Sequence, residues 1–361
     1  MNEATGMLSL VLVILMAASS AVDIGSVEAT PARIVPDGLL EIEKSLVNIL
    51  GQSPDVLAFA GFNLRYGKIY QSPEEIKHRY SVFKENLDLI RSTNNKGLSY
   101  KLGVNQFADL TYQEFAAQYL ISLPKHCYGP QLPIEVPQKN ITNATWIDWR
   151  KSGFVSPVKN QGKCASSWVF SVTGALEAAY YRKYGTITLF SEQQILDCSN
   201  KYLECLSACR GGLPYDALSY VSSHALLSAA EYPYVARVGR CRADDSKPDI
   251  DVRYSSTSQR DPEDSLKQAV ETVGPVSILL EVVNSFRFYK SGVYTTSDCG
   301  NLTEELNHAG LAVGYAIENG VPYWIIKNSW GEEWGDKGYF KIEMGKNMCG
   351  VASMGMYTFL G

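Results

Sequence analysis

The sequence predicts an α+β fold whose helices and strands are segregated along the chain. Helical spacing dominates from Val56 to Asn94, and three further helices fall between Ser166 and Val273. Short β-rich runs dominate from Val276 to Met344. Helices followed by strands, rather than the two in alternation, point to two segregated lobes.

The elements follow in chain order. The apolar run Met7–Ala18 is too short to span a bilayer, and Ser19-Ser20-Ala21 behind it offers small residues for cleavage. A signal peptide over residues 1–21 is expected, although Glu3 precedes the run and no Lys or Arg does. The alternative, a buried helix, lacks a charged face. Residues 22 to about 55 show no clear periodicity and are expected to be partly mobile. Glu75, Arg79, Phe83, Asn86, Ile90 and Asn94 are three or four apart and share one stripe of a single helix. Charge, amide and apolar groups on one stripe suggest a face bonded to a second element; an ordinary amphipathic helix has the same spacing. Gly103–Asp109 reads as a turn-to-strand segment. Prolines across residues 122–145 mark an exposed linker.

After Trp146 the pattern changes. Ser166–Tyr184 reads as a helix with Gly185 past its end, Ser191-Glu-Gln-Gln194 as a capping box, and Asp261-Pro262 as a third helix start. Strands are expected over Val276–Val283, Gly310–Tyr315, Tyr323–Lys327 and Tyr339–Met344.

Composition narrows the function. With 361 residues the chain can hold a leader, an N-terminal extension and one two-lobed domain. A net charge of −5 without a long basic run excludes a nucleic-acid partner, and no apolar run is long enough for a membrane partner. Eight cysteines behind a leader read as disulfides in an oxidising compartment, and the sequons at Asn140, Asn143 and Asn301 agree with the secretory route. No Cys/His cluster has zinc-like spacing, so neither a metal nor another cofactor is expected.

Five motifs carry a resemblance. Gln161-Gly-Lys-Cys164-Ala-Ser-Ser167-Trp168 resembles the nucleophile segment of papain-like cysteine peptidases, Asn307-His308-Ala309 their histidine segment, and Lys327-Asn328-Ser-Trp330-Gly331 their asparagine segment. The Glu75–Asn94 stripe and Gly103–Asp109 resemble the family's inhibitory pro-region. Val155–Gly162 and Gly345–Gly350 are similar to the aleurain and cathepsin H branch. The resemblance covers about residues 56–361. It implies a papain-like two-lobed fold, a helical lobe plus a β-barrel-like lobe, preceded by a helical inhibitory pro-region. The implied organisation is a pro-region over 22–145, with an inhibitor domain at about 56–115, and a peptidase domain over 146–361.

The same resemblance implies roles. Gln161 and the backbone N–H of residue 167 would form the oxyanion hole. Ser167 stands at the nucleophile position, where the family has cysteine. His308 would be its acid–base partner, Asn328 would orient the imidazole and Trp330 would shield that bond. Gly211 and Gly212 would let a substrate backbone lie close. Disulfides Cys164–Cys209, Cys198–Cys241 and Cys299–Cys349 are implied, leaving Cys127 and Cys205, which could pair. Expected partners are peptide or protein substrates or ligands, the chain's own pro-region and cystatin-like inhibitors, for a monomer in the vacuole, lysosome or extracellular space.

Serine changes the chemistry. A thiol at a helix N-terminus beside histidine ionises well below its free pKa of ~8.5. A hydroxyl there does not, and histidine must take the proton during attack. Serine peptidases stabilise the resulting imidazolium with a carboxylate; asparagine in its place costs roughly 10⁴ in turnover. Asn328 is neutral. Ala165 stands where the family has glycine, and Arg210 where it has asparagine. Met354 stands where the cathepsin H branch has the cysteine tethering its retained pro-peptide, which puts aminopeptidase specificity in doubt.

The reading is therefore a peptidase homologue made as a zymogen, impaired or inactive, with a peptide-binding cleft. The alternative is a weakly active enzyme using Ser167 with His308 and Asn328. Ser167 as a mere helix cap, a storage protein on a borrowed fold, and an engineered exchange at 167 also stay open. Ala165 and Arg210 favour natural divergence over the last.

Overall fold

The computed structural model describes residues 37–127, 144–199, 208–244, 250–258 and 260–361. The expected signal peptide, the sequons at Asn140 and Asn143, and Cys205 lie outside them. The chain divides into two compact units, residues 37–95 with 103–111 and residues 96–102 with 112–361.

The first unit is helical: α1 (Asp37–Leu50), α2 (Pro54–Arg65) and α3 (Pro73–Asn95). Helix α1 lies in the stretch expected to be aperiodic and partly mobile, yet Leu39, Ile42, Leu46 and Ile49 repeat at three and four, and Leu39 and Leu46 are buried. Helix α2 begins at Ser53, whose Oγ accepts from the Val56 N–H, with Pro54 at the first helical position. The helical run read from Val56 to Asn94 is broken between Arg65 and Pro73, where Gly67 adopts φ +58°. Phe59, Phe62 and Phe83 are fully buried and pack ring against ring at 5.1–6.1 Å. The mixed stripe of α3 has partners. Asn86 Nδ2 donates to Ala108 O and Leu110 O, both at 2.9 Å, and Arg79 donates to Asp109 O. The Asp109 carboxylate accepts from Lys68 and Tyr70. Residues 103–105 are irregular and 106–109 form a turn, so the segment follows a short strand, Tyr100–Leu102, rather than leading into one.

The second unit holds β1 (Tyr100–Leu102), α4 (Tyr112–Tyr119), β2 (Ile147–Asp148), α5 (Ser167–Tyr184), α6 (Glu192–Cys198), α7 (Pro214–Val221), β3 (Val252–Ser256), α8 (Pro262–Thr272), β4 (Val276–Leu280), β5 (Tyr289–Tyr294), β6 (His308–Glu318), β7 (Val321–Lys327), β8 (Tyr339–Glu343) and β9 (Gly355–Leu360). The strands form one sheet, ordered β1-β5-β8-β7-β6-β4-β9-β3, with β2 beside β6. Only the β5–β8 pairing is parallel among these.

Helix α5 is buried from Ser167 to Ala179. It packs on β4, β6 and β9 on one side and on α6 and α7 on the other. Gly174 permits this: a Cβ there would lie 2.8 Å from Leu311 on β6. Gly185 closes the helix at φ +73°. At α6, Ser191 accepts from the Gln194 N–H, but Gln194 turns its amide to Tyr220 and Ala225. The capping box expected there is therefore half made. A buried ion cluster joins α5, α6 and β7: Lys159 contacts Glu177 at 2.6 Å and Glu192 at 2.5 Å, and Lys327 donates to Ser156 at 2.9 Å. Disulfides join Cys164–Cys209, Cys198–Cys241 and Cys299–Cys349, and Cys127 is also disulfide-bonded.

Candidate active site

Three segments of the second unit converge: the start of α5, the start of β6 and the residues after β7. The hairpin register, with Leu311 opposite Lys327, sets His308 and Asn328 side by side at its open end. The turn before α5 is fixed by the Cys164–Cys209 disulfide and by the Ala165 N–H donating to Cys209 O at 2.9 Å.

Ser166, not Ser167, occupies the helix cap position, and its hydroxyl bonds Tyr234 Oη at 2.7 Å instead of capping. Ser167 is the first helical residue, fully buried. Its Oγ accepts from the Ala309 N–H at 3.1 Å.

His308 is fully buried, with Nε2 2.8 Å from Asn328 Oδ1. The Ser329 backbone N–H reaches the same Asn328 atom at 2.8 Å. A backbone N–H can only donate, so that atom is the oxygen and Nε2 carries the proton given to it. Burial pulls the imidazole pKa down to about 4, against the weaker opposing effect of Asn328. The ring is therefore neutral above that pH, with its lone pair on Nδ1. That nitrogen is buried without a hydrogen-bond partner among the described residues. The Trp330 ring lies tilted 4.5 Å from the imidazole and is 1% exposed, with Phe115 of α4 set edge-on against it at 5.3 Å.

Gln161 is anchored on both sides. Its Oε1 accepts from Ser329 Oγ at 2.7 Å, and its Nε2 donates to Cys164 O at 2.7 Å and Tyr119 O at 3.0 Å. The second proton thus goes to the last residue of α4, where the chain runs on into a following segment. That segment continues across the site: the Ile121 N–H donates to Asn307 O at 2.6 Å and the Ser122 N–H to Arg210 O at 2.8 Å. Gly211 sits under it at φ +129°, where a Cβ would lie 2.7 Å from Ile121 Cγ2. Gly212 is buried next to it. Ser329, Ala309 and Tyr119 went unnoticed in the sequence. Ser329 and Ala309 lie inside the asparagine and histidine motifs, but only Ser329 acts through its side chain. Ala309 and Tyr119 act through backbone atoms, which no residue type advertises.

Residues 143–359 match the family described as papain family cysteine protease. The chain belongs to that family. Residues 59–115 match the cathepsin propeptide inhibitor domain (I29), so this papain-family chain carries the family's propeptide. It is 52% identical over 358 residues to thiol protease aleurain of Arabidopsis thaliana, covering 99% of each chain. Pro-cathepsin H of Bos taurus is 39% identical over 302 residues, 82% of this chain and 87% of that one. Among solved structures, digestive procathepsin L 3 of Tenebrio molitor larval midgut superposes with a TM-score of 0.75 at 34% identity, covering 85% of this chain and 100% of that one. The papain-like α+β fold with an N-terminal propeptide follows. Among the described residues no group of acidic, histidine and cysteine side chains could hold a metal, and no helix is long and apolar enough to cross a membrane.

Proposed function

We propose that this papain-family chain is made as a zymogen in which Ser167 stands in place of the catalytic cysteine, leaving a peptide-binding cleft with little or no hydrolytic power. The observation that carries this reading is the hydrogen bonding of Ser167. Its oxygen accepts the Ala309 N–H, and no hydrogen bond joins it to His308 among the described residues. An attacking hydroxyl needs a base in reach of its proton. His308 has the neutral amide of Asn328 behind it rather than a carboxylate, and is a weak base for an alcohol. A thiol would need no such help.

The cleft remains built for a peptide backbone. Asn307 O and Arg210 O accept from Ile121 and Ser122, the bonds an extended ligand would take over once that segment leaves. We read residues 1–21 as signal, 22–145 as pro-region and 146–361 as the mature domain. Disulfides and the exposed Asn301 sequon support the secretory route, to the vacuole, lysosome or cell exterior, with cystatin-like inhibitors as partners of the open cleft.

The test is a fluorogenic peptide assay on the protein freed of its pro-region, beside Ser167→Ala and Ser167→Cys. The account expects wild type and Ser167→Ala to be alike and Ser167→Cys to gain activity. Wild-type turnover abolished by Ser167→Ala favours the alternative, a slow serine hydrolase.

A further inference from the structure

We propose that the face of the second unit beside the cleft, formed by Lys163, Arg210 and the loop Val235–Arg242, is a docking surface for an acidic polypeptide segment. The pieces are held together by bonds already described and three more. Gly162 packs against Ala236, where a Cβ on the glycine would lie 2.9 Å from the Ala236 Cβ, and Tyr234 Oη donates to Gln161 O at 2.7 Å. Gly162 and Ala236 directly precede Lys163 and Arg237, so the two cations leave the chain from adjoining turns. The Cys164–Cys209 disulfide, with Cα atoms 4.5 Å apart, sets Arg210 next to the same turn. The Gly239 N–H donates to buried Asp197, fixing the far end of the loop.

Lys163, Arg210, Arg237, Arg240 and Arg242 are all exposed. None makes an ion pair among the described residues, whereas Arg91, Arg150, Arg253, Lys341 and Lys346 elsewhere each reach a carboxylate. Arg242 lies over the Tyr232 ring, its guanidinium 4.2 Å from the centroid. Exposed Asp244 is the nearest acid along the chain, and Asp197 beneath the loop is spent on Gly239, Gln193 and Tyr232. Five cations gathered on one face of a chain with net charge −5 are an asymmetry that composition does not require.

The partner's chemistry follows from what lies between the charges. Val235 is 53% exposed and Val238 45% exposed, interleaved with Arg237 and Arg240. A sulfated polysaccharide has no use for exposed valines, whereas a peptide alternating acidic and aliphatic residues meets both. The segment now lying over Arg210 is not that peptide, since Ser122 is followed by Leu123-Pro-Lys125-His126. The surface stays exposed with that segment in place, so docking goes beyond the cleft's own ligand and does not require its release.

The experiment uses the full chain. A labelled peptide alternating Glu and Leu is titrated by fluorescence anisotropy, beside the same peptide with Gln for Glu. The proposal expects the acidic peptide to bind, with affinity falling as salt rises, and the amide peptide to bind at least ~10-fold more weakly. Arg237→Glu with Arg240→Glu, both exposed positions, abolishes the difference; Lys77→Glu with Lys84→Glu on α3 leaves it unchanged. Equal affinity for the two peptides, loss of binding in the α3 variant, or binding of heparin in preference to the acidic peptide each overturns the proposal.

Discussion

Gln161 and Ser329 hold each other twice: the Gln161 backbone N–H donates to Ser329 O at 2.8 Å, and the Ser329 hydroxyl donates to Gln161 Oε1 at 2.7 Å. The residue after Asn328 thus aims the amide that would face a developing oxyanion. Ser329 also donates its own N–H to the Asn328 oxygen that accepts from His308. Removing its hydroxyl takes away the anchor on Oε1 and leaves the Gln161 amide held only through Nε2, while the backbone bond stays. In a Ser167→Cys background, Ser329→Ala is expected to lower kcat roughly tenfold, short of the full cost of losing an oxyanion donor. Steady-state kinetics on a peptide substrate, with KM little changed, is the check.

Gly211 and Ile121 set the fit of the chain segment across the site. An alanine at 211 combines a left-handed φ with a Cβ 2.7 Å from Ile121 Cγ2 and 3.1 Å from its Cα. Gly211→Ala is expected to cost about 1–3 kcal/mol locally and to lift residues 119–123. Gly185 has φ +73° and open space around it, so Gly185→Ala isolates the backbone strain. Limited proteolysis after Tyr119–Leu123 should accelerate in the first variant only.

Burial of His308 makes stability depend on pH. Its folded pKa of about 4 lies below its free value of 6.5. Between those limits the unfolded chain binds a proton that the folded chain refuses, so stability falls as pH drops through 6.5 and levels off near 4. The full depth is roughly 3 kcal/mol. The difference between wild type and His308→Phe, measured by urea denaturation from pH 7 to 4, should show that loss in wild type alone. Parallel curves would remove this assignment.

Lys159 neutralises two buried carboxylates. Burial works against its charge, yet Glu177 and Glu192 raise its pKa overall. Lys159→Met removes the cation bonded to both acids and leaves only Lys327, bonded to Ser156, near Glu177, so a cost of about 3 kcal/mol is expected. Chemical denaturation of the full chain tests it, with Lys346→Met, on an exposed pair, as the near-neutral comparison.

Much of this was legible in the sequence, because period and spacing carry it. The α3 stripe, α5 with Gly185, and the motifs around Gln161, His308 and Asn328 stand out by residue type alone. What stayed hidden depends on contacts between distant segments. Helix α1 is an exception: it repeats apolar residues at Leu39, Ile42, Leu46 and Ile49, a pattern passed over in the sequence. Strands β3 and β5 are polar enough to pass as loops, whereas the apolar β9 lies beyond the last run read. The capping box at Ser191 failed because Tyr220 and Ala225 offer Gln194 better partners than its own cap. The role of Ala309 rests on its backbone N–H. The pairing of Cys127 with Cys205 falls outside the described residues.

Whether the hydroxyl of residue 167 is chemically awake can be asked without turnover. The protein freed of its pro-region is incubated with a peptidyl phosphonate, which phosphonylates only an activated serine, and its intact mass is recorded. The account predicts an unchanged mass, with Ser167 bonded to Ala309 and silent. A stoichiometric adduct mapped to Ser167 would contradict it.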